Sequence, residues 1–444
     1  MTRFSKTTLY YRVLRVYSNF IYRRWFSSIE INGESNIPEG QPVIFAPNHQ
    51  NAMIDAMALL SSSPQPVVFW VRADLFKNRI VGALLRGLKM MPAYRMRNGI
   101  QNLKKNEESI SNSDDVLTHG LFLCLMPEGG QDERRTLRPL VKGIFRSAFS
   151  AQEKLGDKEW VKIVPTGIDY GNYDKTGRHL IVNFGKPINI KDYKALHDEN
   201  VPVALNTVRD ELSKRMRPLM LDIQSKNHYQ TFYVASYLYN VEMLEKLNLS
   251  DNETNRLAAR QEIVKVLEMA EMDESVATLI NELDLACTAW DENNRDTAFS
   301  ARVQEYKGVD MDLIIKILYL ILTIPLQLYA IVMNGIEFVI SKMVAKKAKG
   351  TGFEATLKFA MAGILFPIFY VALTIAFSVL WSPDWTTTFA FFLSLPFSFF
   401  FFLRYRWKWQ YVKERLKNII RRDDTALQVK QLVKQIFDKI NQKK

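Results

Sequence analysis

The stretch Val43-Ile44-Phe45-Ala46-Pro47-Asn48-His49-Gln50-Asn51-Ala52-Met53-Ile54-Asp55 decides how this chain reads. Its first four residues form a short, wholly apolar run, the pattern of a buried strand. Downstream, Ala56-Met57-Ala58-Leu59-Leu60 reads as the start of a helix. His49 therefore stands at a strand exit, where a scaffold can hold a reactive side chain rigidly. Asp55 lies close enough along the chain to orient the imidazole. That pairing suits a general base that takes a proton from a hydroxyl. A capped turn without chemistry fits the same residues. Of five histidines in the chain, only His49 has this setting, so the neighbouring segments must decide.

Three later segments bear on the choice. Leu84 to Arg97 is an apolar approach that ends at Pro92 and then turns basic, with Arg95 and Arg97. Arginine presents a planar fork of donors that matches phosphate oxygens; a solvated basic loop is the plainer alternative. Leu121-Phe122-Leu123-Cys124-Leu125 reads as a second buried strand, running into Met126-Pro127-Glu128-Gly129-Gly130. Glu128 is a carboxylate at a strand exit, where α/β folds place sites. Gly129 and Gly130 permit close backbone approach to a ligand. Arg134, Arg135, Arg138 and Lys142 follow. Val161 to Ile168 reads as a further strand, broken by Pro165 and Gly167.

In this order and spacing, the segments resemble the four motif blocks of the glycerolipid acyltransferase family, over roughly the first 190 residues. The His–Asp block corresponds to His49 and Asp55, the second block to Pro92–Arg97, the third to Met126–Gly129, and the fourth to Val164-Pro165. The spacing between His49 and Asp55 is five residues where most of the family has four. With the Glu-Gly-Gly ending, this is most similar to the fungal-type glycerol-3-phosphate and dihydroxyacetone-phosphate acyltransferases. The extra residue has to be absorbed in the turn before the helix, because neither spacing stacks the two side chains on one helical face.

Composition bounds the rest. A chain of 444 residues suggests two or more units. Its 48% apolar content suffices for a core plus membrane segments. Cys124 and Cys287 offer no disulfide framework, and no His/Cys cluster has metal-ligand spacing, so no metal is expected. The net charge of +12 fits an anionic membrane better than nucleic acid, since no nucleic-acid module is recognisable. The arginines scattered through the first 26 residues argue against a cleavable signal peptide.

The organisation that follows is an α/β protein with a mixed central sheet flanked by helices, a helical insertion and C-terminal membrane helices. Residues 1–27 carry an amphipathic helix, with Leu9, Val13, Val16 and Phe20 at helical spacing. It lies in the headgroup layer or packs on the catalytic domain. Residues 28–200 alternate strands and helices and form the catalytic domain. The expected strands are 29–31, 43–45, 67–70, 121–125, 161–165 and 180–184. Residues 201–310 lose Gly and Pro, gain acidic residues and read as a helical subdomain. Residues 311–404 form the membrane region: a re-entrant or in-plane hairpin bent at Pro325, then two spans over 359–381 and 386–403, joined by Ser382-Pro383-Asp384. The 405–444 tail is basic and helical and rests against headgroups. Lys342, Lys346 and Lys358 before the first span, and Arg404, Arg406 and Lys408 after the second, put both flanks and the catalytic domain in the cytosol.

The resemblance implies an integral membrane O-acyltransferase of phospholipid biosynthesis. Acyl-CoA or acyl carrier protein would donate the acyl group, and no cofactor is needed. The acceptor would be glycerol-3-phosphate or 1-acylglycerol-3-phosphate. His49 would deprotonate the acceptor hydroxyl and Asp55 would hold the imidazole. Arg95, Arg97 and Lys142 would clamp the phosphate, and Glu128 with Gly129-Gly130 would position the glycerol. Membrane lipids are the remaining partner. Two rivals stand beside this: an inactive lipid-binding protein on the same fold, and a lipid hydrolase. The latter would lack the Gly-x-Ser-x-Gly nucleophile elbow.

Overall fold

The computed structural model describes residues 7–93, 101–294, 296–348, 350, 352–420 and 424–442, and for 101–109 the backbone alone. The chain forms two compact units. One comprises Met1–Arg23, Ile29–Tyr170 and Leu180–Asp222; the other comprises Arg24–Ser28, Gly171–His179 and Ile223–Lys444.

The first unit is built on a mixed sheet of eight strands among the described residues. They are β1 (Ser28–Asn32), β2 (Val43–Pro47), β3 (Val67–Arg72), β4 (Met90–Ala93), β5 (Phe122–Cys124), β6 (Lys162–Tyr170), β7 (His179–Phe184) and β8 (Ile188–Asn189). Their order is β1-β7-β6-β2-β5-β3-β4, with β8 also on β6. β2 lies at the centre, parallel to both β5 and β6. β7 and β8 run antiparallel to β6. The helices are α1 (Leu9–Trp25), α2 (Ala52–Ser62), α3 (Arg79–Gly87), α4 (Gln101–Thr118), α5 (Gly143–Leu155), α6 (Lys194–Glu199) and α7 (Val201–Met216).

All five residues of β2 are buried, which is why its sequence is continuously apolar rather than alternating. Successive side chains serve opposite layers. Ile44 joins Phe145 and Phe149 of α5 and Val208 and Leu212 of α7 in one core. Phe45 packs edge-on against Phe122 and tilted against Phe184, at 5.5 and 5.6 Å between ring centroids. Burying one such ring is worth about 1.5–3 kcal/mol.

Two features differ from the sequence expectation. β6 is not broken at Pro165 but runs through it. β8 pairs with Lys162 and Ile163, and β7 pairs from Thr166 onward. Pro165 falls between the two partners, so its missing N–H leaves no ladder bond unmade, while its carbonyl accepts from Gly185 N at 2.8 Å. Gly167 is required where β6 passes the chain at Leu219, since a Cβ there would stand 2.1 Å from the Leu219 carbonyl oxygen. The unit also extends past residue 200. Asn200 caps α7 by accepting from Val203 N, and the apolar face of α7 completes the core under the sheet.

The second unit is helical: α8 (Tyr229–Leu238), α9 (Asn240–Lys246), α10 (Glu253–Glu271), α11 (Ala277–Asn293), α12 (Thr297–Gln304), α13 (Met311–Leu322), α14 (Ile324–Lys346), α15 (Glu354–Trp381), α16 (Trp385–Ile420) and α17 (Thr425–Asn441). α14, α15 and α16 are each long and apolar enough to cross a membrane. The chain turns between α13 and α14 at Thr323, just before Pro325, and between α15 and α16 at Ser382–Asp384.

Side-chain pairings set the directions of these helices. α13 runs antiparallel to α16: Arg415 bonds Asp310 at 3.1 Å, Tyr411 bonds Asp312 at 3.2 Å, and Tyr405 bonds the Leu320 carbonyl at 3.2 Å. α14 runs parallel to it, pairing Tyr329 with Ser394, Asn334 with Ser398 and Phe338 with Phe402. α17 does not offer its apolar side outward. Val429, Leu432, Val433 and Ile436 are buried, Phe437 meets the Tyr239 ring at 5.7 Å, and Lys430 pairs with Glu242 at 2.8 Å.

Candidate active site

The parallel pairing of β2 with β5 brings their exits to the same end of the sheet. His49 follows β2 and Glu128 follows β5, so 79 residues of separation close to a direct contact: His49 N donates to Glu128 Oε1 at 2.8 Å. β6, on the other side of β2, pins the same turn. The Asn48 side chain donates to the Ile168 carbonyl at 3.0 Å and accepts from Ile168 N at 2.7 Å, standing in for a ladder pair.

The turn Asn48–Asn51 absorbs the fifth intervening residue. Ala52, the first residue of α2, has φ +40°. This coils the chain so that Asp55 comes back under His49, with Nδ1 and Oδ2 2.9 Å apart. Asp55 is fully buried. Its Oδ2 also accepts from Gln50 N at 2.9 Å and Asn51 N at 2.7 Å, and its Oδ1 accepts from the Tyr170 hydroxyl at 2.7 Å. A buried carboxylate needs this many donors to offset its desolvation. An ionised carboxylate only accepts, so His49 Nδ1 must carry the proton. In the neutral ring, Nε2 is then the basic nitrogen. The imidazole is 17% exposed, and Nε2 has no partner among the described residues.

Glu128 is buried and engaged at both oxygens. Besides His49 N, it accepts from Arg138 Nε at 2.8 Å. Burial pushes its carboxyl above the usual range, and the His49 N–H and Arg138 pull against that shift without cancelling it. Gly129 has φ +67°, and a Cβ there would stand 2.9 Å from Val141 Cγ1. Arg138 also donates to the Gly130 carbonyl, so the glycine pair is folded back on the same arginine. Burial and the charge of Asp55 raise the Tyr170 phenol well above its usual value, so it stays an O–H donor. Tyr22 of α1 reaches the same place and donates to the Ile54 carbonyl at 3.2 Å.

The structure thus brings together His49, Asp55, Glu128, Gly129 and Gly130. Lys142 stands at the start of α5, one residue past Val141, which packs on Gly129, and lines a hollow with Arg146, Phe149 and His197. Arg95 and Arg97 fall outside the described residues. Tyr170, Asn48 and Arg138 belong to the cluster without having been singled out for it. Arg138 stood among the basics after Glu128, but nothing local marked Asn48 or Tyr170, whose partners lie about 120 residues away.

Residues 28–169 match the family model described as Acyltransferase. Glycerol-3-phosphate O-acyltransferase 1 of Saccharomyces cerevisiae is 28% identical over 129 residues, which are 29% of this chain and 17% of the yeast protein. A crystal structure of the 1-acyl-sn-glycerophosphate (LPA) acyltransferase of Thermotoga maritima aligns with 46% of this chain and 78% of that one. Its TM-score is 0.34 and its identity 17%. Residues 28–169 are thus similar to the acyltransferase family, and the chain spans less than a fifth of the length of its yeast relative.

Proposed function

We propose that the chain is a membrane-bound enzyme that moves a fatty acyl group from acyl-CoA or acyl carrier protein to the hydroxyl of a glycerol phosphate, glycerol-3-phosphate or 1-acylglycerol-3-phosphate. The observation that carries this is the 2.9 Å contact between His49 Nδ1 and Asp55, which leaves Nε2 basic.

Nε2 takes the hydroxyl proton as the oxygen attacks the thioester carbonyl. The tetrahedral oxyanion collapses, the C–S bond breaks, and the imidazolium returns its proton to the departing thiolate. Such a base contributes about 100- to 10,000-fold. Asp55 stabilises the imidazolium and fixes the tautomer. The step uses neither an acyl-enzyme nor a metal. Glu128 acts here as a brace: both its oxygens hold protein groups, and it sets the height of the His49 backbone. The acceptor phosphate falls to Arg95 and Arg97. Arg95→Ala is therefore expected to raise the acceptor KM more than it lowers kcat.

The helix pairings support a membrane arrangement. The start of α13 pairs with residues 411–415 of α16, and the end of α14 pairs with residues 402–406. Both ends of the α13–α14 pair therefore sit level with the basic end of α16. We take α13–α14 as a re-entrant hairpin turning before Pro325, with α15 and α16 crossing. α17 packs on α8–α11, which keeps the parts before and after the spans on one side. The positive flanks make that side cytosolic.

The test is transfer of labelled acyl groups from both thioesters to a panel of glycerol phosphates, by the full chain and by His49→Ala in lipid. Wild-type transfer that falls about 100-fold or more in the variant supports the base. Equal transfer by both would remove it, and free fatty acid without acylated acceptor would point to hydrolysis.

A further inference from the structure

α3 is an amphipathic helix that the first unit leaves uncovered. Of its nine residues only Gly82 is buried. Ile80 is 81% exposed, and Val81, Leu84 and the preceding Leu75 are exposed as well. Leaving a run of large aliphatic side chains in water is costly, and a contiguous exposed apolar face marks a contact. The hydrophilic residues around it have one sign. Between 72 and 89 there are five basic residues and one acidic, and that acid, Asp74, is tied to Arg72. Lys77 and Arg79 are exposed beside the apolar face.

α3 is also joined to a second helix of the same character. The Tyr10 ring of α1 lies on Gly87, where a Cβ would stand 2.9 Å from its Cε1, and Lys89 Nζ sits 5.3 Å from the Tyr11 ring centre. α1 buries Tyr11 and Tyr22 toward the unit and exposes Leu9, Val13, Val16 and Phe20. Two adjoining helices, apolar outward and rimmed by cations, are the composition of an interfacial element. A second copy of the chain would set these cations against one another.

We propose that α3 is a lipid-contact element of the acyltransferase unit: its aliphatic residues enter the headgroup boundary of an anionic bilayer, and Lys77 and Arg79 meet lipid phosphates. This holds whatever reaction the unit performs. It gives the unit a grip on the membrane separate from the spans of the other unit.

Labelling of one introduced cysteine in the full chain in vesicles tests it. Ile80→Cys, Leu84→Cys and Thr207→Cys each place a thiol at an exposed position, while burial shields the native Cys124 and Cys287 and raises their thiols, and the unsubstituted chain serves as the labelling blank. Each variant carries an environment-sensitive fluorophore, in vesicles of phosphatidylcholine with or without phosphatidylglycerol and with nitroxide-bearing lipid. The expected result is quenching at 80 and 84 several-fold above that at 207, strengthened by phosphatidylglycerol and weakened by salt. Quenching at 80 and 84 no greater than at 207 overturns the proposal. So does efficient disulfide cross-linking of Ile80→Cys between chains, which would assign the face to a second copy.

Discussion

Each unit buries a carboxylate against cations, and the two do different things with it. In the helical unit, Asp296 is held by Arg178 at 2.7 Å and Lys175 at 3.1 Å. In the same unit, Arg256 spans Asp251 and Glu305. Charges there meet charges, and the network closes on itself. In the first unit, Asp55 and Glu128 each take one hydrogen bond from His49, whose second nitrogen is left over. A closed network fastens segments together, whereas an open one aims a group. The direction of titration separates them too. Burial alone would raise both Glu128 and Asp296. It prevails at Glu128, while at Asp296 Arg178 and Lys175 outweigh it and hold the carboxyl below its usual range.

The largest effect should come from opening the aimed cluster at its tip. His49→Ala is expected to cost about 100- to 10,000-fold in kcat with little change in the unfolding transition; a large fall in Tm would make His49 structural. Asp296→Ala should do the reverse. Removing one partner of a buried pair costs about 3–5 kcal/mol, read as a lower unfolding midpoint, with the activity per folded molecule retained. Unchanged stability would mean that the closed network carries no load.

Tyr170→Phe is intermediate. It removes one hydrogen bond to a carboxylate, worth about 1.5–3 kcal/mol. It also leaves Asp55 with fewer donors and so better able to stabilise the imidazolium. The rate per folded molecule should therefore change beyond what the lost stability explains. Of the groups facing this pair, Tyr22 from α1 also loses its hydrogen bond to Tyr170, while Cys124 from β5 and Glu128 with Arg138 keep their partners. An unchanged rate per folded molecule, with a lower unfolding midpoint, would limit Tyr170 to a structural part.

The smallest effect is a pair of slopes. Glu128 has a raised folded pKa, so the wild type loses stability as pH rises through it, and the cost of Glu128→Gln should shrink from acid to neutral pH. Asp296 has a depressed one, so its contribution is present above the unfolded carboxylate value and fades on acidification. The cost of Asp296→Asn should therefore grow over the same interval. Slopes of the same sign, measured by denaturant unfolding at several pH values, would break the contrast.

Much of this was legible because the local rules held. β2, β3 and β5 announced themselves as apolar runs, and His49 and Glu128 stood at their exits. β4 did not: four residues with a proline at the sheet's edge carry no period. Nor did the closure of β6 across Pro165, which depends on two antiparallel partners meeting there. The 405–444 tail was read from its charge alone as basic and helical, and its charge did not reveal that the apolar side of α17 is buried against protein.

The sequence alone determined which polar residues stand at the strand exits and which segments are apolar enough for sheet or bilayer, since both are matters of residue type and spacing. Tertiary structure alone decided which nitrogen of His49 is basic, what Glu128 holds, and that Tyr170 bears on Asp55. Those depend on strand order and parallel register, which bring together residues about 80 and 115 positions apart, and no local pattern records a contact made over that distance.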